Sequence, residues 1–327
     1  MMKKEIIIAH RGASGYLPEH TLASKALAFG LKSDYIEQDL VMSSDNYVIV
    51  SHDLYLNYTT NVKDIFPDRD RSDGKYYIID FTLKELKKLK LSERFHEINK
   101  EKNIEFPGRF PVFNSEFKIH TLEEEIELIQ GLNKSMKKNI GIYPEIKYPD
   151  FHLTEGKDIS KEVLKILEKY NYKKKTDKIY LQCFDKKELR RIKNKLFKDV
   201  DIDIKIIQLI GKRNCEENFV NVDGTKYQRN ANYDKLLTKN GIGTISKYAD
   251  GVGLHFSMII NYKSTKNNII YTDIIKYIKE NNLESHIYTI RSDNTQIPDY
   301  AKNFQDFVSI LQKANIDGIF TDFPDQI

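Results

Sequence analysis

Nine short apolar runs punctuate the chain: Glu5–His10, Tyr35–Leu40, Tyr47–His52, Gly141–Lys147, Ile179–Phe184, Ile204–Ile210, Ala249–Leu254, His286–Arg291 and Gly318–Asp322. They are rich in Ile, Val, Leu and Tyr and end at polar or turn residues, as buried strands do. Amphipathic stretches with helical spacing lie between many of them: Thr21–Leu31, Thr121–Leu132, Ile159–Tyr170, Lys186–Phe197, Asp273–Asn281 and Asn303–Ala314. Repeated strand–helix alternation predicts a parallel sheet, open or closed. About eight such units make an α/β fold of the (β/α)8 or TIM-barrel type the economical choice.

Two features predict that the barrel is distorted. Met42–Asn46 is too short for a crossover helix, and Ser43-Ser44-Asp45-Asn46 reads as a hairpin turn, so Tyr35–Leu40 and Tyr47–His52 form an irregular pair. The last run, Gly318–Asp322, is followed by too few residues for a closing helix. From about residue 54 to 120 the alternation disappears. This stretch holds the charged run Pro67–Gly74, one short helix near Thr82–Leu91 and a loop at Phe106-Pro107-Gly108-Arg109. It predicts a subdomain inserted into, and protruding from, a single barrel spanning residues 1–327, because no repeat or linker divides the chain.

Composition narrows the function classes. The 20 tyrosines and 17 phenylalanines, spread along the chain, supply a sizeable core and exclude general disorder. Lys plus Arg at 52 against Asp plus Glu at 48 leaves a formal charge of +4, too balanced for a nucleic-acid binder. Cys183 and Cys215 exclude a disulfide framework and have no metal-ligand spacing. No stretch reaches the roughly 18 apolar residues of a membrane span. The apolar run Ile6-Ile7-Ile8 stops too early for a secretory core, so a soluble, cytoplasmic chain is the direct expectation.

Candidate chemistry gathers at strand ends, which in a barrel face the active site. His10-Arg11-Gly12 offers a proton carrier, a cation for phosphate or carboxylate, and a close backbone approach, although a strand cap reads equally well. In Glu37-Gln38-Asp39 the period of two puts both carboxylates on one face of a buried strand. Their repulsion is relieved by a divalent cation such as Ca²⁺ or Mg²⁺, the alternative being a solvated edge strand. Glu145 and Lys147 share a face in the same way, as a third ligand with a phosphate-binding charge or as a plain ion pair. His52-Asp53 closes another run and, with His10, suggests an acid–base pair. His20, His96, His120, His152, His255 and His286 have no partner at a diagnostic spacing and read as surface or structural residues. Asp68–Gly74 lacks the glutamate of a calcium loop and reads as a solvated turn. Cys183 reads as an inert core thiol and Cys215 as exposed.

The blocks Ile8-Ala9-His10-Arg11-Gly12-Ala13-Ser14-Gly15-Tyr16-Leu17-Pro18-Glu19-His20-Thr21, Tyr35-Ile36-Glu37-Gln38-Asp39-Leu40, His52-Asp53, Tyr143-Pro144-Glu145-Ile146-Lys147, Tyr180-Leu181-Gln182-Cys183-Phe184 and Gly318-Ile319-Phe320-Thr321-Asp322-Phe323-Pro324 resemble those of the glycerophosphodiester phosphodiesterases. The stretch Asp80–Glu85 is similar to the bacterial periplasmic or surface-lipoprotein branch. The resemblance implies a distorted (β/α)8 barrel of the phospholipase-C-like phosphodiesterase type, hydrolysing glycerophosphodiesters such as glycerophosphocholine and glycerophosphoethanolamine to sn-glycerol 3-phosphate and an alcohol. It implies His10 and His52 as the general acid–base pair. Glu37, Asp39 and Glu145 would be ligands of one divalent cation, Ca²⁺ ahead of Mg²⁺, and Arg11 and Lys147 phosphate contacts. Glu19 would support His10 or touch the glycerol, and Tyr288 and Phe323 would wall the glycerol carbons, although core packing explains both equally. The family block usually ends Glu-Asn-Thr, where this chain has Glu19-His20-Thr21. The resemblance also implies an exported or lipid-anchored address and leaves a cyclic glycerol phosphate intermediate and a homodimer open. The rival readings are a lyase-type phospholipase of the same superfamily and a binding protein on an inactive barrel.

Overall fold

Strands rich in β-branched and aromatic residues alternate with capped amphipathic helices, and the chain closes on itself. The computed structural model describes residues 5–98, 101–212, 219–222, 225–228 and 233–327, with backbone alone at 97, 98, 101, 219–222 and 225–228. The strands are β1 Ile6–Ala9, β2 Tyr35–Met42, β3 Val48–Val50, β4 Phe95–Ile98, β5 Glu101–Ile104, β6 Gly141–Ile146, β7 Tyr180–Cys183, β8 Lys205–Ile210, β9 Phe219–Val222, β10 Thr225–Gln228, β11 Gly251–His255, β12 Glu284–Ile290 and β13 Gly318–Thr321. Eight of them run parallel in the cyclic order β1-β13-β12-β11-β8-β7-β6-β2. Closure comes where Ile8 pairs with Tyr35 on one side of β1 and with Phe320 on the other. This is a (β/α)8 barrel. β3 is the expected ninth run, antiparallel to β2, with Leu40 opposite Val50.

Helix starts follow side-chain capping. Thr21 accepts from the Ser24 amide ahead of helix Leu22–Gly30, and Thr121 with Glu124 forms a capping box ahead of helix Leu122–Met136. These helices cover the barrel with a continuous apolar layer that includes Ile36, Leu40, Ile126, Ile129, Val163 and Phe307. One polar cluster is buried in it. Lys25 and Gln38 both meet Glu125, at 3.0 and 2.8 Å, and Lys25 also donates to the Glu37 carbonyl. The expected helix Lys186–Phe197 begins regularly but widens into a π turn over Ile192–Leu196.

The described part of the inserted stretch, 54–98 and 101–120, has an apolar core that continues onto the barrel. Leu54, Leu56, Tyr77, Phe81 and Leu89 share an apolar core with Val41 of β2, Ile49 of β3 and Phe151 of the barrel wall. The stretch therefore lies against the barrel, because the outer ends of β2 and β3 offer it an apolar face. The expected short helix is Leu83–Leu86; a second, Val62–Ile65, and the β4–β5 hairpin carried no pattern strong enough to predict. Arg71 in the charged run is held by both Asp80 oxygens at 2.7 Å. Cys183 is buried, and burial pushes its thiol well up; Cys215 lies outside the described residues.

Candidate active site

The strand ends deliver side chains to one cavity. Its lining includes His10, Arg11, Glu37, Asp39, His52, Glu145, Lys147, Gln182 and Tyr288. The turn after β1 is unusual: Arg11 has φ +58° and Gly12 φ +95°. A Cβ at Gly12 would lie 2.9 Å from the Ser24 carbonyl carbon, so only glycine allows this approach. The strained Arg11 backbone is held on both sides, its amide donating to Glu37 Oε2 at 3.0 Å and its carbonyl accepting from the His20 amide.

Glu37, Asp39 and Glu145 are all buried, and one oxygen from each lies within 4.8 Å of the others. Burial, then the charges of Asp39 and Glu145, push the Glu37 carboxyl well above its ordinary range. Asp39 is held well below its ordinary range: Lys147 and His20 outweigh burial, which is the largest single effect and opposes them. Lys147 Nζ sits 2.9 Å from Glu145 and 3.6 Å from Asp39. Glu37 is further fixed by Gln182, which donates to Oε1 at 2.9 Å. Asp39 Oδ1 and Gln182 Oε1 are buried without a hydrogen-bond partner. Buried oxygens left without donors beside two more carboxylates fit a hard divalent cation.

The two histidines are built alike. His10 Nδ1 lies 2.6 Å from Asp322 Oδ1, and His52 Nδ1 lies 2.7 Å from Asp53 Oδ1. An ionised carboxylate only accepts, so each ring donates Nδ1–H backward and keeps Nε2 for other contacts. Burial lowers His10 to about 4 and His52 to about 3, with Arg11 lowering both and the carboxylates opposing. Both rings are therefore neutral at pH 7.

Several expectations meet a specific geometry. Arg11 Nη1 donates to Glu19 at 2.8 Å, and its Nε sits 3.5 Å from Asp39. Glu19 grips Arg11 and Arg94. Tyr288 lines the cavity and donates its hydroxyl to the Ile210 carbonyl at 2.6 Å. Phe323 instead packs edge-on against Tyr16, with centroids 5.2 Å apart and Gly15 beneath it; it is not among the cavity-lining side chains. His255 joins the lining opposite the triad. His20, at φ +55°, bonds Asp39 Oδ2 at 2.8 Å, a backbone position that also suits asparagine. His120, His152 and His286 are buried on Glu125, the Met42 amide and Tyr143 respectively, while His96 is exposed.

Sequence reasoning missed several residues at this site, among them Gln182, His255, Asp322, Asp53 as an orienting group, Arg94 and Arg109. The two aspartates end strand-end blocks, which was a usable signal. The arginines lie in the aperiodic stretch and gave none. Among the described residues, no helix is long and apolar enough to cross a membrane.

Comparison with known proteins gives this geometry its relatives. Residues 10–326 match the glycerophosphoryl diester phosphodiesterase family. A glycerophosphodiester phosphodiesterase of Haemophilus influenzae is 48% identical over 327 residues, covering 99% of this chain and 89% of that protein. One from Treponema pallidum is 40% identical over 326 residues, covering 98% and 90%. Among solved structures, an Oleispira antarctica phosphodiesterase in complex with the product sn-glycerol-3-phosphate shares the fold, with a TM-score of 0.62 at 18% identity, covering 98% of this chain and 94% of that one. The chain belongs to the glycerophosphoryl diester phosphodiesterase family.

Proposed function

We propose that the chain hydrolyses glycerophosphodiesters to sn-glycerol 3-phosphate and an alcohol, with His10 and His52 transferring protons on opposite sides of the phosphate. The observation that carries this reading is the pair of neutral, carboxylate-backed histidines opening on the cavity that holds the Glu37–Asp39–Glu145 triad. One neutral ring accepts the proton of the attacking hydroxyl at Nε2; the other takes a proton from solvent as the anionic phosphate binds beside it, delivers that proton to the departing alcohol, and the first ring returns its own proton to solvent. Asp322 and Asp53 stabilise the imidazolium that each ring becomes. Lys147, buried, and Arg11, partly exposed, would draw the phosphate in and balance its charge. The triad would hold one divalent cation, Ca²⁺ ahead of Mg²⁺, which when bound supplies Lewis acidity and charge neutralisation at phosphorus.

The inserted stretch at about 54–120 belongs to the same catalytic unit in this reading, residues 1–327 forming one barrel. An exported or lipid-anchored address rests on the motif resemblance, and cell fractionation tests it. The central experiment incubates the protein with glycerophosphocholine, with and without chelator, and measures sn-glycerol 3-phosphate. Release that stops with chelator and returns with Ca²⁺ is expected; no release with either Ca²⁺ or Mg²⁺ sinks the proposal. A cyclic glycerol phosphate in rapid-quench samples identifies attack by the glycerol hydroxyl, and its absence identifies attack by water.

A further inference from the structure

The two histidine–carboxylate pairs share a second feature. Behind each stands an arginine from the inserted stretch. Arg94 Nη1 donates to Asp53 Oδ2 at 2.6 Å, while Asp53 Oδ1 takes His52. Arg109 Nη2 donates to Asp322 Oδ2 at 2.7 Å, while Asp322 Oδ1 takes His10. In both cases the guanidinium holds one carboxylate oxygen and the imidazole the other. The carboxylate then cannot turn away, and it is kept ionised as an acceptor for Nδ1–H. The arginines are themselves anchored. Arg94 binds Glu19 through Nη2 at 2.6 Å and Nε at 3.3 Å. Arg109 binds both Asp293 oxygens, at 2.7 and 3.1 Å, and the Ser14 carbonyl. Both side chains are almost fully buried, Arg94 at 10% and Arg109 at 4% exposure, where such forks lose little to solvent.

We propose that Arg94 and Arg109 are positioning residues of the reaction, each fixing the carboxylate that orients one of the two histidines. The inserted stretch is thereby part of the catalytic apparatus of a barrel whose own strands carry the triad. The proposal rests on the assignment of His10 and His52 as the proton-transferring pair. The two arginines are not equivalent. Asp322 also accepts from Arg291 Nε at 2.7 Å, so it keeps a guanidinium when Arg109 is lost. Among the described residues, Asp53 has Arg94 as its charge partner besides His52. Loss of Arg94 therefore has the larger effect.

The test compares wild type with Arg94→Ala and Arg109→Ala on glycerophosphocholine, with calorimetric Ca²⁺ binding measured in parallel. Orienting partners of this kind are worth about 10- to 100-fold. Arg94→Ala is expected near the upper end in kcat and Arg109→Ala near the lower, with KM and Ca²⁺ affinity within about threefold. Added guanidinium should restore part of the Arg94→Ala rate. Wild-type kcat in Arg94→Ala, or a fall in kcat matched by an equal loss of Ca²⁺ affinity, overturns the proposal. If Arg94→Ala does not fold, Arg94→Lys decides, since lysine keeps the charge but cannot span the fork; an unchanged kcat overturns it and a tenfold fall supports it. A readout independent of turnover separates this from failure of the functional reading. Ring ¹⁵N shifts should report His52 as the Nδ1–H form in wild type and as a tautomer mixture in Arg94→Lys; identical shifts overturn the positioning role even in a protein that releases no product.

Discussion

The floor and the mouth of the barrel are built from the same strands and the same inward face, and they are chemical opposites. On β2 the inward series runs Tyr35, Glu37, Asp39; on β6 it runs Tyr143, Glu145; on β7 it runs Tyr180, Gln182. At the floor, Tyr35, Tyr143, Tyr180, Ile207 and Phe320 form one apolar cluster, with Tyr143 and Tyr180 stacked at 5.0 Å. Two residues further along, each series turns polar. The comparison teaches a division of labour along a single strand. The floor gains free energy by burying aromatic surface, and the mouth gives some up by burying like charges that Lys147 and Arg11 offset only in part.

The largest effect should break the two layers apart by function. Glu37→Gln or Asp39→Asn is expected to lower kcat/KM by at least ~10³-fold, because several kcal/mol of charge stabilisation leave with the cation. The same Glu37→Gln change should leave the chelated protein as stable as wild type or more so, since one of three mutually repelling buried carboxylates is gone. Melting with and without Ca²⁺ checks this: wild type should gain about 2.7 kcal/mol at a hundredfold excess over Kd, and the variant nothing. At the floor the signs reverse. Ile207→Ala, in the same cluster and outside the cavity lining, is expected to cost about 2–5 kcal/mol of stability through the space it leaves. Its kcat per folded molecule should stay within a fewfold of wild type, and a collapse of kcat at full folding would show that the floor also sets the mouth's geometry.

This contrast was legible in the chain because the period of two is local. Tyr35, Glu37 and Asp39 announce an inward face, and Glu145–Lys147 repeats the pattern. Barrel closure was legible too, from strand count and alternation. What pairs across that closure was not. His10 and Asp322 stand 312 positions apart, and only the β1–β13 pairing brings them to 2.6 Å. Arg94 and Arg109 were invisible for a different reason: their stretch has no repeating period, and a buried arginine looks like a surface one until its carboxylate is found. His20 and His286 escaped likewise, each bonded through one ring nitrogen to a partner from a different element.

Glu93 sharpens the view of the mouth as the costly layer. It is buried beside Arg94, its Oε2 has no hydrogen-bond partner, and burial followed by the Glu19 charge pushes its carboxyl up to about 7, with Asp322 adding to the rise and Arg109 opposing it. A raised carboxyl favours the folded state while protonated. That contribution is complete below the unfolded value near 4.5 and is lost as pH rises toward 7. Chelated wild type should therefore lose on the order of 2 kcal/mol across that interval from this group, and Glu93→Gln should flatten the slope. Denaturant melts at pH 5 and pH 7.5 measure both; parallel slopes in the two proteins would remove Glu93 from the cost.

The smallest change tests whether the floor is purely apolar. Tyr143 donates nothing to the cavity, but its hydroxyl lies 2.7 Å from His286 Nδ1, and the His286 ring reaches toward Glu284, 3.4 Å from Nε2. Glu284 is in turn tied to Tyr180 at 2.6 Å and Lys205 at 2.8 Å. The floor thus carries one polar chain leading outward beneath its stacked rings. Tyr143→Phe keeps the ring and its stacking but leaves His286 Nδ1 without its partner, an expected cost of about 1–2 kcal/mol. Because that chain ends away from the triad, kcat and Ca²⁺ affinity should not move. A thermal melt showing no loss would mean that the His286 ring turns to satisfy itself, and a changed kcat would join the floor to the chemistry above it.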